Sequence, residues 1–129
     1  MNDRDKKARV ILVVEDNDSL RRMLSEVLLG SGFQPLIAAD GEEGIKMFTI
    51  ANEAIDLALL DYKLPGKNGL EVYDEIRRIR PVRTIFMSGF SGSLTEQIEG
   101  GREKINFIPK PFSPMKLINF INEVLRESP

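Results

Sequence analysis

Asp61 closes an apolar run, Ile55 to Leu60, that only Asp56 interrupts. It is followed by Tyr62-Lys63-Leu64-Pro65-Gly66-Lys67-Asn68-Gly69. A carboxylate set between a buried strand and a Pro/Gly turn fits neither core nor solvated surface. An acid in that place has a charge to manage: a metal, a proton or a phosphoryl group. Glu15-Asp16 ends a second apolar run, Val10 to Val14, in the same way. Two apolar strands that both finish in acid point to one acidic pocket where strand ends meet. Two further runs add a hydroxyl and an ammonium. Ser88 follows Thr84 to Met87, and Lys110-Pro111 comes after Ile105 to Ile108.

Carboxylates held close together raise one another's pKa. A divalent, oxygen-loving cation relieves that repulsion. The chain has no cysteine and no histidine, so zinc and copper fit the donors poorly. Mg2+ fits them well, with Mn2+ as the alternative ion. A metal held by carboxylates favours phosphoryl transfer because it neutralises the phosphoryl oxygens. Lys110 adds a second positive charge and Ser88 a hydrogen bond. A carboxylate is itself a competent nucleophile and forms an acyl phosphate. Asp61 is the best candidate because it ends the central strand. Without histidine the chain carries no phosphohistidine of its own.

The elements that must gather these residues are legible as alternating patterns. Val10 to Val14 reads as a buried strand. Leu20, Met23, Leu24, Val27 and Leu28 follow at helical spacing, and Gly30 and Gly32 stop that helix. Asn17 or Asp18 caps it, and Glu15-Asp16 also complements the dipole at its start. Gln34 to Ala39 is a short second strand. Asp40 and Glu43 have capping-box spacing ahead of a helix through Ile45 and Phe48. Ile55 to Leu60 is the third strand. Asn68 and Glu71 open a helix that runs to about Arg80, with Tyr73, Ile76 and Ile79 expected inward and Pro81 beyond its end. Thr84 to Met87 is the fourth strand. The Gly/Ser-rich stretch from Gly89 to Lys104 holds a short or loose fourth helix anchored by Leu94 and Ile98. Ile105 to Ile108 is the fifth strand. Ser113-Pro114 gives an N-cap and a proline at the first helical position. Leu117, Ile118, Ile121, Val124 and Leu125 form the apolar face of the fifth helix. Five strands alternating with five helices imply an α/β fold, a doubly wound parallel sheet covered on both faces. In such sheets the functional crevice lies at the carboxyl ends of the strands.

A chain of 129 residues suits one domain with a real core. The expected division is a polar tail over residues 1–9 and a single domain over 10–127. Lysine and arginine number 18 against 20 aspartates and glutamates, a formal net charge of −2. No global basic field draws in nucleic acid, and the arginines from Arg77 to Arg83 read as a solvated helix end. Val10 to Val14 is too short for a signal-peptide core, and no segment reaches transmembrane length. The expectation is a cytoplasmic protein with no membrane contact.

Val13-Val14-Glu15-Asp16-Asn17, Leu60-Asp61-Tyr62-Lys63-Leu64-Pro65-Gly66-Lys67-Asn68-Gly69, Met87-Ser88-Gly89-Phe90 and Lys110-Pro111-Phe112 stand in order across nearly the whole chain. Together they resemble the response-regulator receiver domain of two-component phosphorelay signalling. Each motif alone is weak; four in register are specific. The resemblance implies a flavodoxin-like strand order, 2-1-3-4-5. It makes Asp61 the phosphoacceptor, served by a sensor histidine kinase or a histidine phosphotransfer protein. Glu15, Asp16, Asp61 and the Lys63 backbone carbonyl would hold Mg2+. Lys110 would contact the phosphoryl group, and the Lys110–Pro111 peptide would be cis. Ser88 would reorient towards the phosphoryl group and Phe107 would turn inward with it. The fourth helix, fifth strand and fifth helix would form the output face for a downstream protein, on a monomer or a weak phosphorylation-dependent dimer. Lys63 and Phe90, two residues beyond Asp61 and Ser88, would tune the lifetime of the acyl phosphate.

Phe107 lacks the hydroxyl of the family's frequent tyrosine, so no signal is read through that group. The short glycine-rich stretch before it is similar to receivers of hybrid histidine kinases. The reading is therefore a phosphoacceptor regulator that slowly dephosphorylates itself, not an enzyme acting on external substrates. A phosphatase working through an aspartyl phosphate on small phosphoesters is one alternative. It wants a second acid two residues after the nucleophile, where Lys63 stands. An inactive receiver-like interaction module is the other, and the complete acid, hydroxyl and lysine set argues against it.

Overall fold

The computed structural model describes residues 8–89 and 106–127. Its elements are β1 (Val10–Val14), α1 (Asp18–Gly30), β2 (Gln34–Ala38), α2 (Gly41–Ala51), β3 (Ile55–Asp61), α3 (Gly69–Ile79), β4 (Arg83–Ser88), β5 (Asn106–Pro109) and α4 (Pro114–Arg126). A short 3-10 turn, Asn52–Ala54, joins α2 to β3. The fourth helix expected between Gly89 and Lys104, with Leu94 and Ile98, lies outside the described residues. The last helix of the sequence reading is therefore α4 here.

All strand pairs are parallel, in the order β2-β1-β3-β4-β5. Parallel strands need crossovers, and the helices that make them cover the sheet. β1 and β3 sit in the middle, which is why they read as near-continuous apolar runs. Side chains alternate across a strand, and two core layers follow from that period. Ile11, Val13, Leu57, Leu59, Ile85, Met87 and Ile108 pack with residues of α1 and α4. Leu12, Val14, Ala58, Leu60 and Phe86 pack with residues of α2 and α3. β2 and β5 are edge strands, where Pro35 and Pro109 are tolerated.

Helix starts follow the capping signals closely. Asn17 caps α1, its Oδ1 accepting the Leu20 N–H at 2.8 Å. Asn68 and Glu71 make a full capping box on α3. Ser113 caps α4, with Pro114 at its first position. Asp40 caps α2 by accepting the Glu43 N–H, but Glu43 reaches back to the Ala39 N–H and not to that of Asp40. One inward residue is corrected. Ile79 is 40% exposed, because it is the last residue of α3 and no further helical turn covers it.

Asp56, the acid inside the β3 run, sits at a register shift between β1 and β3. Val10 pairs with Ile55 and Ile11 with Leu57. Its carboxylate accepts the Val10 N–H at 2.8 Å.

Candidate functional site

Register brings the site together. Val14 lies beside Leu60, so Glu15 and Asp61 leave the sheet side by side. Counting by twos, Glu15 continues Ile11 and Val13, while Asp61 continues Leu57 and Leu59. Both therefore belong to the face covered by α1 and α4. Asp61 pairs with Met87, and the Tyr62 N–H donates to the Met87 carbonyl at 2.9 Å. Ser88 pairs with Pro109, and the Lys110 N–H donates to the Ser88 carbonyl at 2.7 Å. These bonds extend the sheet by one rung and fix the order in which acid, hydroxyl and ammonium line the rim.

The charged groups meet there. Carboxylate oxygens of Glu15, Asp16 and Asp61 all lie within 4.8 Å of one another. Glu15 is 1% exposed and Asp61 5%, whereas Asp16 is open to solvent. Lys110 Nζ reaches Glu15 Oε1 at 2.9 Å and Asp61 Oδ1 at 3.3 Å. Glu15 Oε2 accepts the Asn17 N–H at 3.1 Å. The Lys63 N–H approaches Asp61 Oδ1 at 3.4 Å, and the Lys63 side chain is exposed. The Lys110–Pro111 peptide is cis.

One ammonium thus serves two buried carboxylates, with a third at the mouth. Burial raises the Asp61 pKa to about 7, and the Glu15 carboxylate pushes the same way. Lys110 pulls it down but does not offset both. Burial pulls the Lys110 ammonium down in turn. Its hydrogen bond to Glu15 and the charges of Asp61 and Glu15 outweigh that, so its pKa is raised. Three carboxylates against one ammonium leave a negative excess, which a hard cation would neutralise. The acid trio could hold a metal ion, and its all-oxygen donors fit that role.

Ser88 is 3% exposed at the end of β4. It stands two residues beyond Phe86 on the same strand. Phe107 pairs with Phe86 and is half-buried in the same layer. The two expected switch residues therefore stand on neighbouring strands, β4 and β5. Phe90 lies outside the described residues.

Two supports of the site were not read from the sequence. Arg21 Nη1 donates to the Glu15 carbonyl at 3.0 Å while its other Nη pairs with Asp18. That ties α1 to the loop carrying two of the three acids. Asp18 and Arg21 stand at i,i+3 spacing, but nothing local points Arg21 at Glu15. The Gly69 N–H donates to the Tyr62 carbonyl at 2.8 Å and closes the loop after Asp61 onto its own strand.

The comparisons with known proteins agree with this fold. The family model described as "Response regulator receiver domain" matches residues 11–122. The chain is 31% identical to the transcriptional regulatory protein CpxR of Klebsiella pneumoniae over 92% of its own length and 50% of the relative's. It is 36% identical to the phosphate regulon transcriptional regulatory protein PhoB of Escherichia coli, over 92% and 52% respectively. It therefore spans about half the length of these relatives. The CheX–CheY–BeF3–Mg2+ complex of Borrelia burgdorferi shares the fold, with a TM-score of 0.84, 24% identity, and 98% and 96% of the two chains covered. The chain belongs to the response-regulator receiver family of two-component signalling proteins.

Proposed function

We propose that Asp61 accepts a phosphoryl group from the phosphohistidine of a sensor kinase or histidine phosphotransfer protein. The observation that carries this is the placement of Asp61 itself. It is a buried carboxylate at the end of the central strand, 3.3 Å from an ammonium and grouped with two further acids. An Asp61 oxygen attacks phosphorus, the P–N bond to the imidazole breaks, and the imidazole leaves with a proton from solvent. Mg2+ held by Glu15, Asp16, Asp61 and the Lys63 carbonyl would neutralise charge on the phosphoryl oxygens. The Borrelia complex, related by fold, contains Mg2+ and BeF3. Lys110 exchanges its contact with Asp61 for one with the phosphoryl oxygens. Ser88 hydrogen-bonds the phosphoryl group, and Phe107 follows it inward on the Phe86 side.

The output reading is protein contact along β5 and α4. A groove of about 460 Å³ runs there, lined in part by Phe107, Pro109, Met115 and Phe120. Met115 is 74% exposed beside it. Lys63 and Phe90 are assigned to the lifetime of the acyl phosphate, which water slowly hydrolyses. A cytoplasmic location belongs to the same reading. Among the described residues no helix is long and apolar enough to cross a membrane.

Incubation with a small acyl-phosphate donor and Mg2+ should add one phosphoryl group, seen by intact mass spectrometry and absent from Asp61→Asn. An adduct that persists in Asp61→Asn would overturn the assignment. Sustained turnover of a generic phosphoester would favour the phosphatase reading instead.

A further inference from the structure

We propose that Gly69 is a positioning residue for Asp61: its missing side chain lets the start of α3 seat directly on the Asp61–Tyr62 backbone. The inference rests on the phosphoacceptor reading of Asp61 and adds what holds that residue in place. A Cβ built on Gly69 would meet the Asp61 carbonyl oxygen first. It would then lie 2.8 Å from Tyr62 Cα and 3.0 Å from the Asp61 carbonyl carbon. All three atoms are backbone, so no side-chain rotation relieves the clash. Other close glycines differ in this respect. A Cβ at Gly44 meets only the Val14 side chain, and one at Gly41 first meets the Val72 side chain. At Gly30 and Gly89 it would face open space.

The contact has a direction. Gly69 is the first residue of α3, and its N–H holds the Tyr62 carbonyl at 2.8 Å. Asn68 and Glu71 fix the helix start through their capping box. The helix is thus a stop against which the end of β3 rests. A methyl group at residue 69 must lift the helix or rotate the Asp61 peptide. Either movement shifts a carboxylate that has to stay near Glu15, Asp16 and Lys110. Misplacing a reacting group by about 1 Å can lower a rate by about 10²-fold. Helix propensity alone predicts the opposite, because alanine favours a helix over glycine.

The test compares Gly69→Ala with Gly66→Ala. Gly66 lies in the same loop at φ +74° with nothing within 4 Å of a built Cβ. Gly66→Ala therefore strains the loop without touching Asp61. Phosphorylation by a small acyl-phosphate donor is followed while Mg2+ is titrated. Partial unfolding lowers only the fraction of chains that react. A displaced carboxylate raises the Mg2+ concentration for half-maximal rate and slows the chains that remain folded. Gly69→Ala should raise that concentration about tenfold and cut the saturated rate about 10²-fold, with Gly66→Ala within about twofold of wild type. Equal losses in the two variants, or wild-type values in Gly69→Ala, would overturn the proposal. If Gly69→Ala does not fold, Asn68→Ala loosens the same helix start without adding an atom. It should then raise the Mg2+ midpoint, and an unchanged midpoint would overturn the proposal. A wild-type protein with no Mg2+-dependent phosphorylation fails in a different arm. It would end the phosphoacceptor reading and this inference with it.

Discussion

The two ends of β3 each carry an acid, and the acids do opposite things. At the amino rim the Asp56 carboxylate ends on a backbone amide, that of Val10. Arg80 behaves in the same way nearby. Its guanidinium donates to the carbonyls of Asn52 and Ile55 at 2.6 Å each, to Asn52 Oδ1 at 3.1 Å and to the Pro81 carbonyl at 3.2 Å. It also lies 5.4 Å from the Phe48 ring centre. Arg83 holds the Glu127 carbonyl at the end of α4. Its Nε finds no partner among the described residues, so this rim is not perfectly satisfied. At the carboxyl rim, by contrast, charges end mainly on other charges. Asp61, Glu15 and Lys110 contact one another, and Asp16 adds more negative charge. Charge tied to backbone stabilises the fold, because its partners are fixed and complementary. Charge crowded against like charge is held at a cost in stability and remains available for a ligand.

Arg80→Ala is the strongest way to break that contrast. It removes four charged hydrogen bonds from carbonyl and amide oxygens and a contact over Phe48. The expected loss is about 2–4 kcal/mol, or roughly 10 °C in Tm, by thermal denaturation. The Mg2+ midpoint for phosphorylation should stay unchanged in the folded chains. A shifted midpoint would mean the two rims are coupled. Asp56→Ala should show the same pattern at about 1–2 kcal/mol, since one amide loses its acceptor. If Asp56→Ala were as stable as wild type by urea titration, the register shift at Val10 would hold without that bond.

The two acids also show what a sequence can reveal. Asp61 was legible because it ends a run buried on both faces, ahead of a Pro/Gly turn. Glu15, Ser88 and Lys110 were legible as residues following other strands, and the parallel sheet then had to bring them together. Asp56 carries the same side chain inside the same run, and nothing local says that its carboxylate caps Val10. The Arg80 contacts reach back to Asn52 and Ile55, so local periodicity has no access to them. Gly69 read as part of a loop motif, because a close backbone approach leaves no trace in residue type beyond the glycine itself. Ile79 had the right spacing for the core but stands at the exposed last position of α3. Pattern shows which face an element presents, and only the fold shows where that face ends.

The smallest expected effect separates the rims most directly. Asp61 has a folded-state pKa of about 7, raised first by burial and then by Glu15. The ordinary value for this carboxyl is 3.8. Between those values the folded, metal-free protein keeps a proton that the unfolded chain has released. Folding therefore takes up a proton, and stability falls as pH rises through this window. The charged groups facing Asp61 set the width of that window: Glu15 widens it and Lys110 narrows it. Urea denaturation from pH 4 to 7 should show this decline in wild type. Asp61→Asn should lose that part of the slope and be the more stable protein near pH 7. Saturating Mg2+ should flatten the wild-type profile as well, because bound cation favours the ionised carboxylate that burial opposes. A slope that survives Asp61→Asn would place the crowded charge elsewhere, and the two ends of β3 would then differ less than their contacts imply.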